Sequence, residues 1–297
     1  MSQKIVCSQE ELIRSSGHAD ETVTADRRIH ARRKKSDFLC YAALVVAIIL
    51  LYELFIDNPR WDWPIVWSYL FKKRVLVGLE NTLVLTALAS VLGLVLGLIV
   101  AGCRMAENPV LRAAAYVYIW VIRAIPTLAA LLFLFFLAAL VPRLHLTIPF
   151  LNVTVFDVST NNLISRFSAA VIGLAIYLGG YSAEIFRGGL AAVDKGQKEA
   201  CKALGMSDAK MMWHVVMPQA IRIIIPPLAN ELITMFKNTS LVTVIGYVEL
   251  LTTVQLIYST TFETIPLITV ACIWYLFLTS IAMLGQSLLE RRFGKGV

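Results

Sequence analysis

Six apolar stretches follow one another along this chain, near 38–57, 78–103, 110–141, 169–190, 221–238 and 263–288. Each is close to the roughly twenty residues a helix needs to cross a bilayer. Inside lipid a backbone must satisfy its own hydrogen bonds, which restricts spanning segments to helices and closed barrels. Runs this long and this evenly apolar read as helices. One such run could be a buried helix of a soluble protein; six in succession specify an all-α integral membrane protein with six transmembrane helices. Composition agrees. The chain is 58% hydrophobic and only 16% charged, against about 25% charged in an ordinary soluble domain. The third stretch is longer than a bilayer requires and is expected to tilt or to extend past the membrane. Pro226 and Pro227 are expected to kink the fifth.

The formal charge of +7 could suggest nucleic acid as a partner, but the basic residues flank the spans. With the N-terminus inside, 19 of the 27 Lys and Arg fall on the cytoplasmic side and six on the other. The positive-inside rule then places both termini in the cytoplasm, with Lys72, Lys73 and Arg74 as a local exception on the outer side. Residues 1–37 are polar, end in a basic run and lack periodicity. They read as a cytoplasmic, disordered tail ahead of a retained anchor at 38–57, not as a cleaved signal. Residues 58–77 form a linker on the outer side. The five cysteines are odd in number and lack CxxC spacing, so neither a disulfide framework nor a zinc site is indicated.

Small residues mark helix contacts. Gly93 and Gly97 form GxxxG, continued by Ala101, and Ala175 and Gly179 repeat the spacing in the fourth span. No two-fold repeat of the kind that builds paired-half transporters is visible.

Residues 191–218 are the polar interruption between the fourth and fifth spans. The pattern predicts a short helix from Gln197 to Leu204 with Gly205 as its cap, then a second helix capped by Ser207. Ala200, Ala203 and Gly205 are small enough for close approach, and Leu204, Met206, Met211, Met212 and Trp213 give an apolar side suited to a partner's groove. Here Glu199-Ala200-Cys201, then Gly205, then Val215, Met217 and Pro218 resemble the EAA signature of ABC importer permeases, with cysteine at the second alanine position. IRAIPT at 122–127, YSAEIFRGGL at 181–190, PQAIR at 218–222, PPLAN at 226–230 and KNTSL at 237–241 are similar to the polar amino acid uptake branch of that family, as is GLENTLVLT at 78–86.

The resemblance implies a five-helix permease core at 78–297 with one additional N-terminal helix, in a bacterial cytoplasmic membrane. It implies transport of polar amino acids, or close analogues such as opines, by alternating access. Expected partners are ABC ATPase subunits, a second permease (identical or related), an amino-acid-binding protein and membrane lipid. The ATPase-coupling residues would be Gly196, Gln197, Glu199, Ala200, Cys201, Leu204, Gly205, Met206 and Pro218. The chain has no GxxxxGK[ST] motif, so it is not expected to be an enzyme or to need a cofactor or metal.

Charges inside a span are expensive and mark functional candidates. Arg123 is one, poised to meet a substrate carboxylate or to pair with Glu231 or Glu184. Pro126 and Thr127 follow it where a broken helix would expose backbone. Glu80, Lys237, Asn238, Thr239 and Ser240 complete the candidate substrate path, and Glu249 either gates it or pairs. An ion-driven secondary transporter and a non-transporting membrane scaffold are the alternatives; the EAA spacing argues against both.

Overall fold

The structure is a computed structural model that describes residues 38–140, 143–148, 153–159 and 165–293. The expected tail at 1–37 lies outside the described residues. The chain divides into two compact units, Met1–Asp62 and Trp63–Val297. In the first, α1 (Phe38–Phe55) is an 18-residue apolar helix. Its end is followed by a turn in which the Trp61 indole donates to the Leu54 carbonyl (2.9 Å).

The second unit opens with α2 (Trp63–Leu70) and α3 (Lys73–Met105). Asn108 then caps α4 (Pro109–Ala124) by accepting from Val110 N–H at 2.8 Å. The third stretch is not one tilted helix but is broken at Pro126, where the sequence allows a broken helix. It breaks after Ala124, and α4 and α5 (Thr127–Leu140) meet at 110°. Pro126 causes this: it cannot donate a helical hydrogen bond and it forces the preceding Ile125 into extended backbone (φ −92°, ψ 132°). A two-stranded antiparallel hairpin follows, β1 (Arg143–Ile148) with β2 (Val153–Ser159). It is the one departure from helix among the described residues, and its β-branched content is the signal for it.

Ser165 caps α6 (Arg166–Ala191). The polar interruption forms α7 (Lys195–Ala203) and α8 (Asp208–Met211), joined through a π-turn at Met212–Val216 to α9 (Met217–Asn238). α9 continues through Pro226 and Pro227 as a helix. A 3-10 stretch (Thr239–Ile245) and Gly246, at φ +71°, lead to α10 (Leu250–Thr261), and α11 (Thr264–Phe293) ends the described chain. The segments Asp208–Ile245 and Leu250–Thr261 meet at 45°.

Among the described residues four helices are individually long and apolar enough to cross a membrane, and the two bent pairs bring the number to as many as six. α3 and α6 form the centre, and their small stripes meet. A Cβ on Gly93 would fall 2.7 Å from Leu178 Cβ, and one on Gly97 would overlap the Ser182 hydroxyl. Gly179 lies against Leu96 and Tyr118. The contacts advance in step along both helices, so α3 and α6 run parallel and end on the same side. Replacing Gly97 with valine would wedge this contact apart and is expected to cost about 2 kcal/mol. Thermal unfolding in detergent checks it, with Gly102→Val, where a Cβ would meet open space, as the control.

Candidate functional site

The interruption between α6 and α9 is a rigid hairpin, and local chemistry explains why. Asp194 caps α7 by accepting from Gly196 N–H (2.5 Å). At the other end Gly205 N–H bonds the Lys202 carbonyl and Met206 N–H bonds the Cys201 carbonyl, both at 3.0 Å. This paired pattern is the Schellman motif, which needs a left-handed residue at the position of Gly205, and Gly205 has φ +71°. Ser207 occupies the cap position of α8 as expected, but its side chain makes no capping bond.

The structure sorts the residues expected to couple into two sets. Glu199, Ala200, Leu204 and Gly205 are exposed, as are Gly196, Gln197 and Pro218. Leu204, 80% exposed, projects an apolar side chain from the tip. Cys201 and Met206 point the other way. Cys201 is buried in a cluster with Val193, Met211, Val216 and Ala220, and Met206 packs on it. The residue that departs from the EAA pattern is thus the hairpin's inward anchor. Gln197 also reaches Gln219 at the start of α9 (3.4 Å).

A second group lies along one face of α6. Tyr177, Tyr181 and Glu184 recur at helical spacing on that face. The Tyr177 and Tyr181 rings stack at 4.6 Å, and the Arg123 guanidinium sits 5.6 Å from the Tyr181 ring. The Tyr177 hydroxyl interacts with Glu231 and Asn238. Glu231 Oε1 is shut off from the surface and has no hydrogen-bond partner. The structure therefore brings together Arg123, Glu231 and Asn238 through two tyrosines that sequence reasoning did not single out. Their signal was the polar stripe i, i+4, i+7 in an apolar span. Glu184 pairs with Arg187, one turn along, rather than with Arg123. Arg104, Tyr116, Trp120, Arg123, Glu184 and Arg187 line an open cavity of about 550 Å³ next to this face.

The remaining path candidates scatter. Glu80 and Lys237 are exposed, as is Pro126, while Thr127 is half-buried at the start of α5. Ser240 turns its hydroxyl back to the Lys237 carbonyl (2.8 Å). Thr239 is fully buried and donates to the Phe236 carbonyl (2.6 Å), so it faces the interior.

Glu249 is neither exposed nor paired with a cation among the described residues. It is completely buried and caps α10, accepting from Leu251 N–H (3.0 Å) and Thr252 N–H (2.8 Å). Its carboxylate also accepts from the Tyr275 hydroxyl on α11 (2.9 Å), and the Thr82 hydroxyl of α3 lies 3.3 Å away while accepting from Leu250 N–H (3.0 Å). One carboxylate thus ties α3, α10 and α11 together. Glu249→Ala would remove a helix cap and the carboxylate acceptor of the Tyr275 hydroxyl, with an expected cost of about 2–4 kcal/mol. Thermal unfolding should show it, and Glu249→Gln, which keeps most of the bonds, should lose clearly less.

The inner membrane component model of binding-protein-dependent transport systems matches residues 93–295. The arginine transport system permease protein ArgU of Corynebacterium glutamicum is 41% identical over 258 residues, covering 86% of this chain and 79% of that protein. The L-cystine transport system permease protein TcyB of Bacillus subtilis is 34% identical, covering 74% and 86% respectively. Among solved structures, a chain of an amino acid ABC transporter crystallised with histidines superposes with a TM-score of 0.63 at 36% identity, covering 75% of this chain and 95% of that one. The chain therefore belongs to the family of binding-protein-dependent transport system inner membrane components, as a multi-pass membrane permease.

Proposed function

We propose that this chain is the permease subunit of an ATP-driven importer of polar amino acids, with a preference for cationic ones. The single observation that carries the preference is the Glu231 carboxylate, with one shielded oxygen left without a partner beside Tyr177 and Asn238. A buried acceptor of this kind is costly unless a donor arrives, and a guanidinium or ammonium group supplies one. The likeness to an arginine permease supports the same reading. Arg123, on α4 and set against Tyr181 of the same α6 face, offers the opposite charge to a substrate carboxylate.

ATP is hydrolysed by a separate subunit that grips the hairpin of α7 and α8. Glu199, Ala200, Leu204 and Gly205 form the docking face, and Cys201 and Met206 carry the motion into the helix cluster beneath. Because α8, the π-turn and α9 run on as one helical unit, a push at the tip reaches Glu231 through a stiff element. Transport then follows from ATP shifting the balance between inward- and outward-open states. A second permease, identical or related, and a substrate-binding protein complete the assembly, with the α7–α8 hairpin on the cytoplasmic side. The core comprises residues 78–297, preceded by the helix at 38–57.

Uptake of labelled arginine, glutamine and glutamate into vesicles containing the permease, its ATPase and its binding protein tests this reading. ATP-dependent uptake led by arginine is expected. Uptake that survives ATP depletion, or a permease that never co-purifies with an ATPase, would refute it.

A further inference from the structure

Lys72, Lys73 and Arg74 form a cationic patch at the start of α3 that two electrostatic rules disfavour. Cations are unfavourable at the N-terminus of a helix, where the macrodipole is already positive. In the orientation proposed above they also lie on the outer side, against the positive-inside bias. All three are exposed. Lys72 lies 3.4 Å over the Tyr69 ring, and among the described residues no carboxylate pairs with any of them.

Beside the patch is an open groove of about 430 Å³ lined by Lys73, Arg74, Val77, Asn81, Val248 and Thr253. The polar groups of the groove floor are partly engaged. The Asn81 amide donates to the Val248 carbonyl (2.9 Å), and the Thr253 hydroxyl donates to the Glu249 carbonyl (2.6 Å). Gly78 packs so tightly on Thr253 that no Cβ would fit. The charged groups offered to a ligand are the cations at the rim, beside an apolar wall. That combination suits a carboxylate side chain inserted from an acidic protein surface.

We infer that Lys72, Lys73, Arg74 and the adjoining groove are a docking surface for an acidic face of the substrate-delivering binding protein. The inference rests on the transport reading above and deepens it by naming where and how that partner is recognised. The groove floor is formed by the segment that Glu249 caps, and Glu249 bonds α3 and α11. Contact at the rim therefore bears directly on the junction of three helices.

The test uses the assembled transporter in nanodiscs of zwitterionic lipid, with ATP hydrolysis followed as its binding protein is titrated in. The double variant Lys73→Glu/Arg74→Glu should fold, because both side chains are exposed and acidic residues suit a helix N-terminus. Its half-saturating concentration of binding protein should rise about tenfold at about 50 mM salt, and converge on wild type near about 0.5 M, where the Debye length is only a few ångströms. The maximal rate should be retained. Lys73→Gln/Arg74→Gln should give a smaller rise of the same kind. Unchanged half-saturation at low salt overturns the inference. So does a shift that persists at high salt, or one that appears only when anionic lipid is present, which would make the patch a lipid contact. A wild-type transporter that the binding protein does not stimulate at all would instead overturn the transport reading.

Discussion

ATP-dependent uptake is expected to fall at least tenfold in Gly205→Val, with the membrane body intact. The physical reason is local. Gly205 holds φ +71°, a conformation that costs an ordinary L-residue roughly 1–2 kcal/mol and a β-branched one more. Relief requires the chain to leave the left-handed region, which breaks both bonds of the Schellman turn and swings Leu204 away from the tip. A cost of about 1.4 kcal/mol in docking is already a tenfold loss. No neighbouring atom lies within 4 Å of the new Cβ, so the damage is confined to the turn and the core of α3 and α6 should be untouched. Glu199→Lys probes the same face by charge alone, since Glu199 is exposed on α7. Both variants should express and unfold like wild type while losing uptake and retention of the ATPase. Normal uptake by either variant at normal expression would show that the hairpin is not the coupling element.

Glu231→Gln is expected to lower arginine uptake about 10- to 100-fold while reducing glutamine uptake far less. The substitution keeps shape and most hydrogen-bonding capacity and removes the charge. A hydrogen bond to a charged group contributes about 1.5–3 kcal/mol, which converts to that range at 1.4 kcal/mol per factor of ten. The split between substrates separates recognition from a general folding defect, which would depress both. Equal losses for the two amino acids would assign Glu231 to helix packing with Tyr177. A companion change, Tyr177→Phe, should shift the same ratio more weakly, because it removes the neighbour of the carboxylate and not the carboxylate itself.

Much of this was legible before any coordinates. Spans follow from apolar length because lipid leaves the backbone no other option, and the ends of α3, α6 and α11 fall within a few residues of the stretches read from hydropathy. The Gly205 turn was legible because a glycine after a helical run has one common use. The hairpin at 143–159 was not, since two short strands between spans carry a weak signal beside twenty apolar residues. The break in the third span was legible in Pro126, whose missing N–H interrupts a helix, but its 110° angle was not, since that depends on how α4 and α5 pack. Pro226 and Pro227, by contrast, lie within one continuous helix, α9.

Sequence by itself determined what each residue could be: part of a membrane-spanning helix, a tight turn, an EAA-like stretch, a charge that must find company. It could not determine which company. Glu184 took Arg187, three residues away, while Arg123 went to the face of Tyr181. Glu249 found Thr82 and Tyr275, 167 and 26 residues distant in the chain. Cys201, within the EAA-like stretch, turned inward into the cluster beneath the hairpin. The physical reason is the same throughout. Helix formation is local and is dictated by solvent and backbone, whereas the pairing of a buried polar group depends on which helix faces it. Only the parallel packing of α3 on α6, and the closure of α10 on α3 and of α11 on α10, decides that.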